Sequence, residues 1–365
     1  MHPLDLHAAL VRFPSLSHEE GPIADFVEAW LREIPAAAVG REDNNVWASL
    51  GDGDDLLLLN SHLDVVPPSA EHPYPPFEPT RVDGRVYGRG AVDAKASGAA
   101  MLAAFARLAA EGWRPPAGGR LVVALTACEE VGRGYNGMAH LREHVFGQRL
   151  PDVAAAVIGE PTGLRPCLAQ KGLLILTLTA RGRTAHAARA HLGANALTAA
   201  ARDLLRVDAM TFARADPLLG APTIAATVIE GGTAKNVVPD CCTVTLDVRS
   251  VPAYTHAELA AEVAAHLEGE VAIYSDRLVP CATPPEARVA RAAAAAVAAQ
   301  GLDATPFGSP TASDWVFVHD RPAVKLGPGR SELSHTADEH VEAEAVVRAV
   351  AVYAGLARRY FELSA

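Results

Sequence analysis

Four consecutive leucines, Leu56 to Leu59, run straight into Asn60-Ser61-His62-Leu63-Asp64. A short run this apolar, bounded by polar residues, predicts a strand buried on both faces, as in the interior of an α/β sheet. His62 and Asp64 stand two apart just past that strand. The spacing suits a metal-ligating imidazole whose other ring nitrogen is held by a carboxylate. The same stretch closes on Asp93 in the glycine-rich GRGAVDAK, which opens an alanine-rich helix. The loop between holds Pro67, Pro68, Pro73, Pro75, Pro76 and Pro79, so it is expected to be ordered and to line a site. The residues alone therefore predict that His62 and Asp93 hold metal.

Other apolar runs repeat the pattern. Arg120 to Thr126 leads to Glu129-Glu130, Val153 to Ile158 leads to Glu160, and Ala323 to Leu326 precedes His335. Val46 to Leu50 is expected to form a hairpin with the leucine strand through Gly51-Asp-Gly-Asp-Asp. Helices are expected over about Glu19 to Ile34, with cap chemistry in Ser15 to Glu20, over Asp93 to Glu111, and over Pro285 to Ala299. Acids and histidines gathered at strand ends are the expected place for a site in an open α/β sheet. From Gly172 the texture changes. Leu173 to Thr179 alternates Leu and Thr, Thr223 to Glu230, Thr243 to Arg249 and Val271 to Tyr274 read as strands, and Asn195 to Arg206 and Ala257 to Leu267 read as helices. That is an antiparallel sheet with helices on one face. A chain of 365 residues exceeds one ordinary core. The expected fold is α/β in two domains. Residues 1–170 and 280–365 form a mixed or parallel sheet with helices on both faces, and 171–279 form an inserted α+β domain.

Composition narrows the function classes. The net charge is −11 and no block of Lys or Arg stands out, which argues against nucleic acid or an anionic membrane as partner. The N-terminal MHPLDLHAALVRF lacks the pattern of a signal peptide, and no long uncharged apolar run suits a membrane span. Five scattered cysteines without a C-x-x-C pair suit a reduced, cytoplasmic protein without thiolate-bound zinc. Cys128 is expected to be a small apolar filler.

His62, Asp93, Glu129, Glu130, Glu160 and His335 together form a set of oxygen and imidazole donors. That set suits Zn²⁺, Co²⁺ or Mn²⁺ in a catalytic site. It exceeds the needs of one tetrahedral ion and suits two ions sharing a carboxylate, about 3.5–4 Å apart. One acid is then left over, and an unligated carboxylate beside activated water is a general base.

At this point the chain resembles the M20 metallopeptidase family, which includes acetylornithine deacetylase, succinyl-diaminopimelate desuccinylase and aminoacylase. The resemblance is carried by SHLDVVP at 61–67, GRGAVDAKAS at 88–97, TACEE at 126–130, IGEPT at 158–162, GRTAHAAR at 182–189, GGTAKNVVPD at 231–240, DVRSVP at 247–252, SPTASDW at 309–315 and SHTADEH at 334–340. The motifs come in the family's order and cover nearly the whole chain. The resemblance implies a zinc-exopeptidase-like catalytic domain and an inserted dimerisation domain. It makes Asp93 a ligand shared by two divalent ions, Zn²⁺ in expectation. His62 and Glu160 complete one ion; Glu130 and His335 complete the other. Glu129 is the expected base, Asp64 orients His62, and the Asp93–Ala94 bond is expected to be cis. It further implies a homodimer in which His186 acts in the partner's site, with Asn236 and Arg249 meeting the substrate. The implied reaction is hydrolysis of the N-acyl amide of a small amino acid. The expected substrate is N²-acetylornithine, in arginine biosynthesis. The alternatives within the family are succinyl-diaminopimelate, acetylcitrulline, carrier-protein-linked lysine or ornithine, and dipeptides. A metal-free binding protein on the same scaffold is the alternative from another class.

Overall fold

The leucine run lies within a strand, Asp55–His62, whose residues from Leu56 onward are all buried. Each such leucine contributes roughly 1.5–3 kcal/mol by leaving water. The computed structural model that shows this describes residues 1–35 and 37–363. It comprises two units. One contains Met1–Leu168, Thr283–Phe307 and the segment from Ser313 onward; the other contains Ala169–Ala282 and Gly308–Ala312.

In the first unit the strands run, in chain order, β1 (Ala38–Glu42), β2 (Asn45–Leu50), β3 (Asp55–His62), β4 (Thr80–Val82), β5 (Arg85–Tyr87), β6 (Gly119–Thr126) and β7 (Val153–Ile158), followed by Ala323–Lys325 and His340–Glu342. The main sheet has the order β1-β2-β6-β3-β7 and then Ala323–Lys325. β3 is parallel to both β6 and β7, and β7 is parallel to Ala323–Lys325. β1 and β2 run antiparallel at one end. The sheet is therefore mixed, with a parallel centre. The expected hairpin between β2 and β3 does not form, because β6 lies between them. The Gly51–Asp54 turn sends its amides to the start of β6 instead. Gly53 N–H donates to Gly119 O at 3.2 Å and Asp55 N–H donates to Gly118 O at 2.9 Å. A strand buried on both faces needs a partner on each edge, and a local hairpin gives only one.

Side chains alternate across the sheet. Leu57 and Leu59 join a core built with α1 (Pro3–Val11), α2 (Gly21–Arg32), α3 (Lys95–Ala110), α7 (Arg288–Ala298) and α8 (Ala343–Glu362). Asn60 points to the other face, where Thr126 links it to Asp314 of the helical turn Asp314–Val318. α4 (Gly137–His144) packs on that same turn, so both faces carry helices. α2 has no side-chain cap of the expected kind. The Glu20 carboxylate accepts instead from the backbone amides of His18 and Cys128, each at 3.0 Å.

The second unit holds a four-stranded antiparallel sheet in the order Thr223–Gly231, Cys241–Ser250, Gly172–Arg181, Glu270–Leu278. Leu174, Leu176, Leu178, Val244, Leu246 and Val248 bury one face against α5 (Ala196–Ala209) and α6 (His256–His266). Asn195 caps α5, and Thr255 with Glu258 forms a capping box on α6. The last strand is longer than the sequence pattern suggests, because half-buried Ser275 and Arg277 and exposed Asp276 extend it. Among the described residues no helix is long and apolar enough to cross a membrane.

Candidate metal centre

The parallel register brings three strand ends together. His62 closes β3 opposite Thr126 at the end of β6, and Asn60 lies opposite Ile158 at the end of β7. Glu129 and Glu130 follow β6, and Glu160 follows β7. Asp93 sits in the turn before α3, and its peptide bond to Ala94 is cis. His335 enters from the loop after Ser331–Leu333 with a positive φ of 63°.

These side chains converge within the first unit. His62 Nε2 lies 3.2 Å from Asp93 Oδ1 and 3.9 Å from Glu160 Oε1. His335 Nε2 lies 3.6 Å from Asp93 Oδ2 and 2.9 Å from Glu130 Oε1. The two oxygens of Asp93 thus face two different His–Glu pairs. Donor atoms of His62, Asp93 and Glu130 all fall within 4.8 Å of one another, close enough to share an ion.

The electrostatics also favour a cation at this site. Burial drives the Glu160 carboxyl up to about 8, with the charge of Asp93 adding to it. Burial likewise pushes Glu129 well above the carboxylate range, against the pull of His62 and with the push of Glu160, Asp314 and Glu130. Glu130 is raised by burial despite its hydrogen bond with His335. Burial works to discharge His62, but its bonds with Asp64 and Asp93 and the charges of Glu129 and Glu160 hold its pKa well above the ordinary value. So many acids crowded together leave a deficit of positive charge. Oxygen and imidazole donors without thiolate fit one or two hard-to-borderline divalent ions.

Asp64 lies beside His62 and has further partners. His62 Nδ1 lies 3.0 Å from the Asp64 carbonyl oxygen and 3.5 Å from its carboxylate. An Nδ1–H donated to that carbonyl leaves the Nε2 lone pair facing Asp93 and Glu160. The Asp64 carboxylate accepts the Glu129 amide on Oδ1 and the Glu130 amide on Oδ2, both at 3.0 Å, and Ser17 Oγ donates to Oδ2 at 2.7 Å. It is wholly buried, and His62 and these donors outweigh burial to lower its pKa. Cys128 is no simple apolar filler. It takes a positive φ of 57°, and its thiol donates to Glu20 at 3.2 Å. Burial and that carboxylate push the thiol up to about 12, so it stays protonated.

His186, Asn236 and Arg249 belong to the second unit. His186 is exposed, and its Nδ1 accepts from Ala188 N–H at 3.1 Å, which turns the Nε2–H outward. Asn236 is its neighbour, since Ala187 N–H donates to Asn236 O at 2.9 Å. Arg249 makes a forked pair with Asp247 at 2.8 and 3.1 Å.

Four residues near the centre carried no sequence signal of their own. Asp314 accepts from Asn136 Nδ2 at 2.8 Å and Thr126 Oγ1 at 3.1 Å, behind the Glu129–Glu130 turn. Glu20 holds Cys128, as above. Arg89 and Glu339 form a buried ion pair beneath Asp93. Arg89, Asp314 and Glu339 fall inside motifs singled out in the sequence, but nothing local marks a charged residue as buried.

The model of peptidase family M20/M25/M40 matches residues 58–359. The succinyl-diaminopimelate desuccinylase of Methylorubrum populi is 32% identical over 394 residues, covering 98% of this chain and 98% of that protein. Among solved structures, aminopeptidase PepT from Bacillus cereus aligns with a TM-score of 0.78 at 22% identity, covering 98% of each chain. A dinuclear metal-binding peptidase of family M20 from Bacillus subtilis aligns with a TM-score of 0.73 at 17% identity, covering 97% of this chain and 96% of that one.

Proposed function

This chain belongs to peptidase family M20/M25/M40, a family of metallohydrolases, and on that premise we propose that it removes the succinyl group from N-succinyl-diaminopimelate. The M. populi desuccinylase, similar from end to end, supports this substrate over the N²-acetylornithine expected from sequence texture. The observation that carries the metal reading is the splitting of Asp93 between two His–Glu pairs. His62 and Glu160 would hold one ion, Glu130 and His335 the other, with Asp93 shared. Zn²⁺ suits this donor set, and Co²⁺ or Mn²⁺ can replace it.

Bound ions would supply Lewis acidity toward the amide carbonyl and a nucleophile at neutral pH. Glu129 takes the proton from the attacking water and passes it to the leaving amine, which suits a carboxyl whose pKa burial raises well above the ordinary carboxylate range. Asp64 fixes the backbone of Glu129 and Glu130 and so aims both acids. His62 donates Nδ1–H to a carbonyl and keeps Nε2 for the ion. The second unit acts as a dimerisation unit. Its outward Nε2–H of His186 serves the oxyanion in the partner's site, and Asn236 and Arg249 hold substrate carboxylates.

Turnover of N-succinyl-diaminopimelate, N²-acetylornithine, acetylcitrulline and a dipeptide is measured side by side, after chelation and again after Zn²⁺ is restored. The expected result is metal-dependent release of succinate, with a kcat/KM at least about 100-fold above the others. Faster cleavage of N²-acetylornithine or of the dipeptide would overturn the substrate. Full activity without metal would overturn the mechanism.

A further inference from the structure

The strand His340–Glu342 pairs antiparallel with β5, His340 opposite Tyr87. That register sets Glu339 beside Gly88 and Arg89, and Gly88 N–H donates to Glu339 O at 3.2 Å. The Glu339 side chain is fully buried and that of Arg89 is 2% exposed. Glu339 Oε1 accepts the backbone amides of Val92 at 3.0 Å and of Asp93 at 3.2 Å. Its Oε2 accepts from Arg89 Nη1. The other arm of Arg89 donates from Nη2 to the carbonyl oxygen of His335 at 3.4 Å. One dry ion pair therefore touches the backbone of two residues that flank the same carboxylate–imidazole contact.

We propose that Arg89 and Glu339 are positioning residues that set the distance between Asp93 and His335 and thereby the affinity of the metal centre. A tie meant only to hold the fold needs no charge here, because a neutral side chain can accept the same two amides. The charged pair links the two sides of the site: one arm of the guanidinium reaches the His335 carbonyl, and the other binds the carboxylate that accepts the Asp93 amide. Asp93 offers one oxygen toward each His–Glu pair, so a shift of its turn relative to the His335 loop moves both halves of the centre together. The inference rests on the metal-centre reading above.

The test is Co²⁺ binding to the metal-free protein, read by titration and by the visible spectrum of the bound ion, beside the melting temperature of the metal-free form. Glu339→Asp keeps the charge and withdraws the carboxylate by one methylene. The double variant Arg89→Met/Glu339→Gln removes both charges and leaves no ion unpaired. Each variant is expected to bind Co²⁺ roughly 10–100-fold more weakly than the parent, with an altered spectrum. In the double variant that loss persists although the metal-free form melts near the parent temperature. Parent-like affinity and spectrum in the folded variants would overturn the proposal. So would a loss of affinity that tracks only the fall in melting temperature. If one variant does not fold, the other is read by the same criteria. Failure of the parent protein itself to bind Co²⁺ would instead sink the metal-centre reading.

Discussion

His62 reaches Asp64 through the backbone: Nδ1 lies 3.0 Å from the Asp64 carbonyl oxygen and 3.5 Å from the nearer carboxylate oxygen. The carboxylate is occupied with the amides of Glu129 and Glu130. Replacing Asp64 by Ala should thus leave the imidazole tautomer in place and release the two acids. The expected loss is roughly 10–100-fold in kcat/KM. Nitrogen-15 shifts of His62 in the Zn²⁺ form should still report a protonated Nδ1. A change of tautomer in this variant would show that the carboxylate, not the carbonyl, orients the ring.

Glu129 crowds the centre, and burial with its acidic neighbours raises its carboxyl. Glu129→Gln should lower kcat by about 10²–10⁴-fold while metal affinity stays within a few-fold of the parent. Kinetics paired with metal titration checks this. Loss of metal together with activity would make Glu129 a ligand.

Metal loading should release protons. Burial and Asp93 drive Glu160 up to about 8 in the metal-free protein, so at pH 7 it is mostly protonated. Binding a divalent ion demands the carboxylate, so a proton leaves as the ion enters. Zn²⁺ added to metal-free protein in weakly buffered solution should acidify it, and apparent affinity should climb between about pH 6 and 8. Proton-neutral binding across that range would contradict the arrangement.

His7 gives a stability prediction away from the site. It is wholly buried, with Nε2 at 2.9 Å from Ala91 O, and burial lowers its pKa from 6.5 to about 4, with Lys95 adding to the effect. The unfolded chain binds the extra proton throughout that interval, so stability falls as pH drops from about 6.5 to about 4. The full difference is ~3 kcal/mol. Urea unfolding at pH 7 and pH 4.5 should show this slope in the parent and a shallower one in His7→Gln. Equal slopes would remove His7 from the account.

How much could be read in advance follows from where the information lies. Four leucines before a polar edge are enough to predict β3, because burial on both faces is written in the residues themselves. The alternating Leu–Thr run likewise announced a one-sided sheet, and Asn195 its helix start. The order of strands was not legible. Nothing in Gly51 to Asp54 says that its amides will meet Gly118 and Gly119. At the site, side chains from five places in the chain lie together, and the motifs named them. Their supports were hidden because Glu20, Arg89, Asp314 and Glu339 find partners far away in sequence, and a charged residue looks the same in a motif whether it ends wet or dry. Asp64 was noticed for one neighbour only: it lies beside His62, and its carboxylate also reaches across to the amides of Glu129 and Glu130.

Glu130 and His335 meet across 205 positions, and the strand that anchors Glu339 is laid down only near the end of the chain. A growing polypeptide on the ribosome therefore has most of its first sheet available while still lacking His335. A product truncated before residue 335 would lack His335 and also α8, whose Val352, Tyr353 and Leu356 pack in the core with Leu57 and Leu59, so the imidazole and its supporting helix are both supplied last.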